Sequence, residues 1–238
     1  LPSPFFCTEI SPLFARPSGE GAHRIDALRT GCVGGERNFT MSQKITIQNA
    51  GRFALAGDAI LTMVRPQRWI DGDLDDEKRF TYRIQRAKAE SAENADPNRP
   101  WFVKVLAGPN NLRDYSYLGT IFPNRQGDGV TYRHGKKSRV SEDAPSAKGI
   151  AWFVRHLSSL IELRKELEQA DMFGKAFVQE KIDKVEATLN RLSFYHEGRC
   201  GKCAKVLTVP ESIMVGLGPV CLSREGGGPG ILDLLARI

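Results

Sequence analysis

Three of the five cysteines of this 238-residue chain fall from residue 200 onward, as Cys200-Gly201-Lys202-Cys203 followed after 17 residues by Cys221. A CxxC turn aims two sulfurs at one point, the arrangement a tetrahedral ion needs when each Zn–S bond is about 2.3 Å long. His196 stands just ahead, so the full spacing reads His196-x3-Cys200-x2-Cys203-x17-Cys221. Three thiolates and one imidazole make a closed Cys3His site with no corner left for water, which predicts a structural Zn²⁺. Glu197 and Glu225 are the alternative fourth ligands. A redox CxxC pair belongs in a βαβ context, which the residues around Cys200 do not provide. A disulfide framework belongs in an oxidising compartment, and residues 1–40 lack the basic start and continuous apolar run of a secretory signal. Cys7 and Cys32 receive no role.

Lys and Arg number 34 against 28 for Asp and Glu, a net charge of +6 that favours anionic partners. Between Gly129 and Arg139 the chain carries Arg133, Lys136, Lys137 and Arg139 with Tyr132, His134 and no acid. A basic turn beside aromatic rings holds phosphates while a base stacks, the combination used on single strands. Lys202 and Lys205 crowd the cysteine knuckle in the same way, so these seven residues other than His134 form the candidate nucleic-acid site. The alternative partner is a host protein, docked on the patterned helix of residues 175–192.

Catalysis is not expected. The chain has no Walker loop, no GxSxG elbow, no HExxH and no deaminase HxE with PCxxC. Asp71, Asp73, Asp75 and Asp76 lack the spacing of an EF-hand loop. No small-molecule substrate is evident. The longest apolar stretch, residues 54–64, is broken by Gly57 and Asp58 and is too short to cross a bilayer.

The elements that must position these groups follow from periodicity. The chain begins on Leu1 and its first methionine is Met41. Residues 1–40, rich in proline and without sustained periodicity, read as a disordered or spurious extension. Residues 41–168 read as an α+β domain. Its strands are expected at residues 44–47, 59–64, 80–84, 101–106 and 115–122, forming a small antiparallel sheet. A helix stripe of Ile150, Phe153, Val154, Leu157, Leu160, Ile161 and Leu167 packs on it, started near Pro145 and Ser146. Val178, Ile182, Val185, Leu189 and Leu192 form the seam of a helical connector over residues 169–193, paired back on the preceding helix. Residues 194–225 read as a zinc-ribbon-like module with a short helix entered near Thr208 and Pro210. Such a segment has too few bulky residues to overcome chain entropy unaided, so metal is expected to complete its fold. Residues 226–238 read as a flexible tail.

Three motifs carry a family likeness: the knuckle from His196 to Cys203, then Leu207-Thr208-Val209-Pro210-Glu211-Ser212-Ile213, then Gly216-Leu217-Gly218-Pro219-Val220-Cys221. Together they resemble the small cysteine-rich module of domain of unknown function family 6011, found mostly in bacteriophage, prophage and bacterial proteins. The upstream motifs at Ala56-Gly57-Asp58 and Tyr117-Leu118-Gly119 have the look of the longer phage proteins that carry such a tail. The resemblance implies a cytoplasmic protein of bacterial or phage type with a zinc module. It brings no catalytic residue.

Overall fold

The computed structural model describes residues 42–66, 68–70, 73–88, 98–110, 113–124 and 129–223, with backbone alone at 68–70 and 73–75. The expected N-terminal extension, the acidic run from Asp71 to Asp76 in part, Glu225 and the tail lie outside the described residues or their side chains.

The chain opens with β1 (Gln43–Ile45) and α1 (Ile47–Leu55), then β2 (Asp58–Arg65), the short pair β3 (Arg68–Ile70) and β4 (Asp73–Asp75), and β5 (Lys78–Arg86). There follow β6 (Trp101–Leu106), β7 (Tyr115–Pro123), β8 (Val130–His134), α2 (Pro145–Gln169), α3 (Met172–Leu189), β9 (Ser193–His196), α4 (Pro210–Val215) and α5 (Pro219–Ser223). The fold is α+β, and its main sheet has seven strands in the order β1-β9-β2-β5-β6-β7-β8. Every neighbouring pair is antiparallel.

The strand expected at residues 44–47 stops at Ile45, because the Thr46 hydroxyl accepts from the Asn49 N–H and caps α1. Helix α1 is not among the expected elements, although Ile47, Ala50, Phe53 and Ala54 are buried at helical spacing. It is only nine residues long and carries Gly51 at its centre.

Alternation gives the sheet two unlike faces. Ala59, Leu61, Tyr82, Ile84, Trp101, Val103 and Val105 are buried on one of them. The Tyr82 hydroxyl donates to the Ser146 carbonyl of α2 (2.7 Å), and the Trp101 indole N–H donates to the Leu55 carbonyl of α1 (2.9 Å). The apolar stripe expected on α2 is buried here from Ile150 to Ile161, and Leu167 packs at its margin. Helix α3 folds back on α2 through buried Val178, Ile182 and Leu189, as the seam predicts. Arg164 of α2 and Glu186 of α3 pair across this hairpin at 3.1 Å, and Gln48 of α1 donates to the same carboxylate.

The expected break before residue 194 is not a break in the sheet. Strand β9 lies between β1 and β2, with Phe194 opposite both Ile45 and Met63. Its burial explains the difference: Phe194 is buried against Phe153 of α2, so the strand that opens the cysteine-rich segment also completes the main core.

Candidate metal centre

The knuckle begins where β9 ends. Arg199 bridges to Val206, the Ala204 N–H donates to the Cys200 carbonyl (2.8 Å), and the Cys200 N–H donates to Lys205 O (2.8 Å). This closes a tight turn around the CxxC, and it holds Ala204 at φ 58°, in the left-handed region. The turn docks on the sheet: the Asp58 N–H donates to Gly201 O (2.6 Å).

Helix α4 starts with Pro210 in its first turn, where the absent N–H costs nothing, and ends on Gly216 at φ 77°. A Cβ on Gly216 would also run into the Phe53 ring, so both conformation and space require glycine. The chain then turns into α5 and brings Cys221 to the knuckle. A small cluster of Ala56, Cys200, Leu207 and Leu217 fills the space beneath.

The Sγ atoms of Cys200, Cys203 and Cys221 lie within 4.8 Å of one another, and no other such group of His, Cys, Asp or Glu occurs among the described residues. The Cys203 and Cys221 sulfurs are 3.5 Å apart, far beyond a disulfide bond and close to the S···S distance of about 3.8 Å that tetrahedral thiolates at ~2.3 Å from zinc require. All three are free thiols; Cys200 is buried, Cys221 half-buried and Cys203 exposed. Burial pushes the Cys200 thiol up, but N–H groups of Gly218, Cys203 and Lys202 outweigh it and leave the net shift downward. Cys221 is pushed up to about 12, by burial first and then by the neighbouring sulfurs. Such crowding of sulfurs disfavours three thiolates in the absence of a cation and favours them around one. Three cysteines so placed can bind a metal.

His196 is not part of this group. It sits on the buried face of β9, its ring 5.2 Å from that of Phe53. Its Nε2 donates to Ile213 O (2.8 Å), and its Nδ1 accepts from the Gly198 N–H (3.2 Å). Both ring nitrogens are thus committed to backbone, and burial lowers the pKa of the imidazole. Of the expected Cys3His set, the structure brings the three sulfurs together and places His196 in the core beneath the knuckle, held by backbone. Glu197 is also outside the sulfur group and lines a small recess with Asp58, Arg83 and Arg199.

The basic residues expected at the surface divide. Arg133, Lys136, Lys137, Arg139 and Lys205 are exposed, and Lys202 is half-buried. Tyr132 is half-buried: it packs against the core and its hydroxyl donates to Leu118 O (3.3 Å), on the face of β8 opposite Arg133. The basic segment itself is not all turn. Its first half is edge strand β8, paired with β7.

Residues 191–226 match the model of a family of unknown function, DUF6011. No curated protein matches the chain, and no solved structure does. No helix among the described residues is long and apolar enough to cross a membrane.

Proposed function

We propose that the chain is a non-catalytic, zinc-containing binding protein of phage or prophage type that contacts nucleic acid in the bacterial cytoplasm. The observation that carries the metal reading is the convergence of three sulfurs from two segments 17 residues apart. Thiolates favour zinc among the common divalent ions, and the cluster beneath the knuckle contains only four buried residues, too few to order the segment alone. Cys200, Cys203 and Cys221 hold the ion, and the fourth corner belongs to a donor other than His196. The ion closes the turn and docks α5; no reaction is assigned to it. Metal analysis of purified protein tests this. About one zinc per chain is expected, lost in Cys200→Ser. A metal-free native protein, or a Cys200→Ser chain that keeps its zinc, overturns it.

The nucleic-acid reading is supported by the surplus of six positive charges and by the exposed cations at Arg133, Lys136, Lys137, Arg139 and Lys205. Binding to a labelled oligonucleotide that weakens with salt is expected; no binding at low ionic strength removes the reading.

A second reading, an adaptor that docks on a host protein, is favoured by one observation. Met172, Phe173 and Phe177 at the start of α3 are 80%, 83% and 61% exposed. A pull-down that recovers one protein, resists nuclease and fails with Phe173→Ser supports it.

A further inference from the structure

The face of the main sheet opposite α1 and α2 has a composition of its own. The register sends Lys44, Arg79, Arg83, Lys104 and Arg133 to it from four strands, β1, β5, β6 and β8. Asp58 is the one acid among its strand residues, engaged by Arg83 at 3.2 Å and by Gln85 at 3.1 Å, and Glu197, just past β9, lines a recess with Asp58 and Arg83. The side-chain contacts of these residues stay within the sheet: Lys104 donates to Gln85, and Arg79 lies 6.0 Å from the Tyr195 ring centre.

Aromatic rings stand among the cations. Phe102 on β6 is 42% exposed and Phe122 on β7 is 37% exposed, which on a polar sheet face is an unusual place for phenylalanine. Tyr117 lies on the same face, its hydroxyl 2.8 Å from that of Thr120, the residue directly opposite Phe102. The Arg133 guanidinium sits 5.4 Å from the centre of the Phe122 ring, pairing a cation with an aromatic face at the sheet edge.

We infer that this open sheet face, through Phe102, Tyr117 and Phe122 with Lys104 and Arg133, binds single-stranded nucleic acid. The inference rests on the nucleic-acid reading above and deepens it by naming the surface and the strandedness of the ligand. Charge complementarity identifies the partner as a polyanion: Lys44, Arg79 and Arg133 are exposed and Lys104 half-buried, while Asp58 is held by Arg83 and Glu197 sits in a recess at the margin. The rings then separate single strands from duplexes. A duplex keeps its base faces stacked inside, whereas an unpaired strand offers one to each ring, and stacking of this kind tolerates any sequence. Four adjacent strands from β5 to β8 span about 15 Å at ~4.8 Å per step, the width on which a four-stranded sheet stacks two or three bases. The metal knuckle adjoins this face, since Gly201 O accepts from the N–H of Asp58 at its margin.

The test uses the full chain with its metal and fluorescence anisotropy of a labelled mixed-sequence oligonucleotide, as single-stranded DNA, single-stranded RNA and duplex. The native protein is expected to prefer a single strand. Phe102→Ala with Phe122→Ala is expected to weaken that binding tenfold or more while thermal melting shifts little, because both rings are largely outside the core. Arg133→Gln is expected to weaken binding and to make it less sensitive to salt. If the native chain binds no nucleic acid at low salt, the reading and the inference fall together. If it binds, but a Lys136→Gln, Lys137→Gln, Arg139→Gln variant loses binding while the Phe102 and Phe122 variant does not, the inference alone fails. Preference for duplex also overturns it.

Discussion

His196 Nε2 and the carbonyl of Ile213 are 2.8 Å apart, a hydrogen bond that ties the last residue of β9 to the helix preceding the third cysteine. The donor must be the ring, since a carbonyl only accepts, and the Gly198 N–H then fixes Nδ1 as acceptor. The imidazole is therefore neutral and in one tautomer. It positions α4 beside the three cysteines while staying outside the sulfur group.

Replacing His196 separates that role from ligation. His196→Ala removes both bonds and leaves the Ile213 carbonyl and a cavity beside Phe53, a loss of about 3 kcal/mol in folding stability. Zinc content of the folded fraction is expected to stay at the native value, in contrast to Cys200→Ser. Denaturant titration and metal analysis on the same samples check both halves.

The same residue gives the fold an acid limit. Burial lowers the imidazole pKa below its ordinary 6.5, so the unfolded chain binds a proton more readily than the folded one. The stability tied to neutral His196 is present above pH 6.5 and is lost as pH falls below that value toward the folded pKa. Melting temperatures measured between pH 8 and 5 are expected to fall more steeply for native protein than for His196→Gln. Parallel profiles would contradict it.

Ala204 closes the knuckle at φ 58°, a region that costs an L-residue about 1 kcal/mol relative to glycine. Ala204→Gly is expected to raise stability by about that amount, offset in part by the greater freedom of glycine in the unfolded chain. Thermal melts of the metal-loaded proteins measure it.

Glu186→Ala is expected to cost about 3 kcal/mol, because it removes the carboxylate that pairs with the buried Arg164 guanidinium and accepts from Gln48. Burial already lowers the Arg164 pKa, and Glu186 works against that shift. Arg164→Met with Glu186→Leu is expected to recover most of the loss, which a double-mutant cycle reads directly.

Chelation of the metal is expected to lower the melting of the whole described fold in one transition. The knuckle shares a backbone bond with Asp58 of β2, and its preceding strand pairs on both sides within the sheet. Two separated calorimetric peaks would instead indicate an independent module.

The sequence was most legible where period and length agreed. The stripe from Ile150 to Ile161 and the alternation of residues 101–106 found α2 and β6. The sulfur cluster was legible too, because a CxxC turn and a returning cysteine constrain geometry strongly. His196 was not, since one imidazole near a cysteine reads alike as ligand or as buried packing, and the alternation of Phe194 and His196 was the available sign of the second. Tyr132 shows the same ambiguity: its neighbour Arg133 points outward, so in a strand it must point inward. The place of β9 between β1 and β2 was illegible, because four residues carry no information about which distant strands they will join.

That insertion governs the order of assembly during synthesis. Among the described residues, strand β1 pairs only with β9, so the first described strand must wait for the last. Until residues 193–196 leave the ribosome, β2 presents an unpaired edge able to recruit other nascent chains. A message truncated upstream of β9 therefore yields an aggregation-prone fragment, and the segment that carries the three converging cysteines is also the one that seals the sheet.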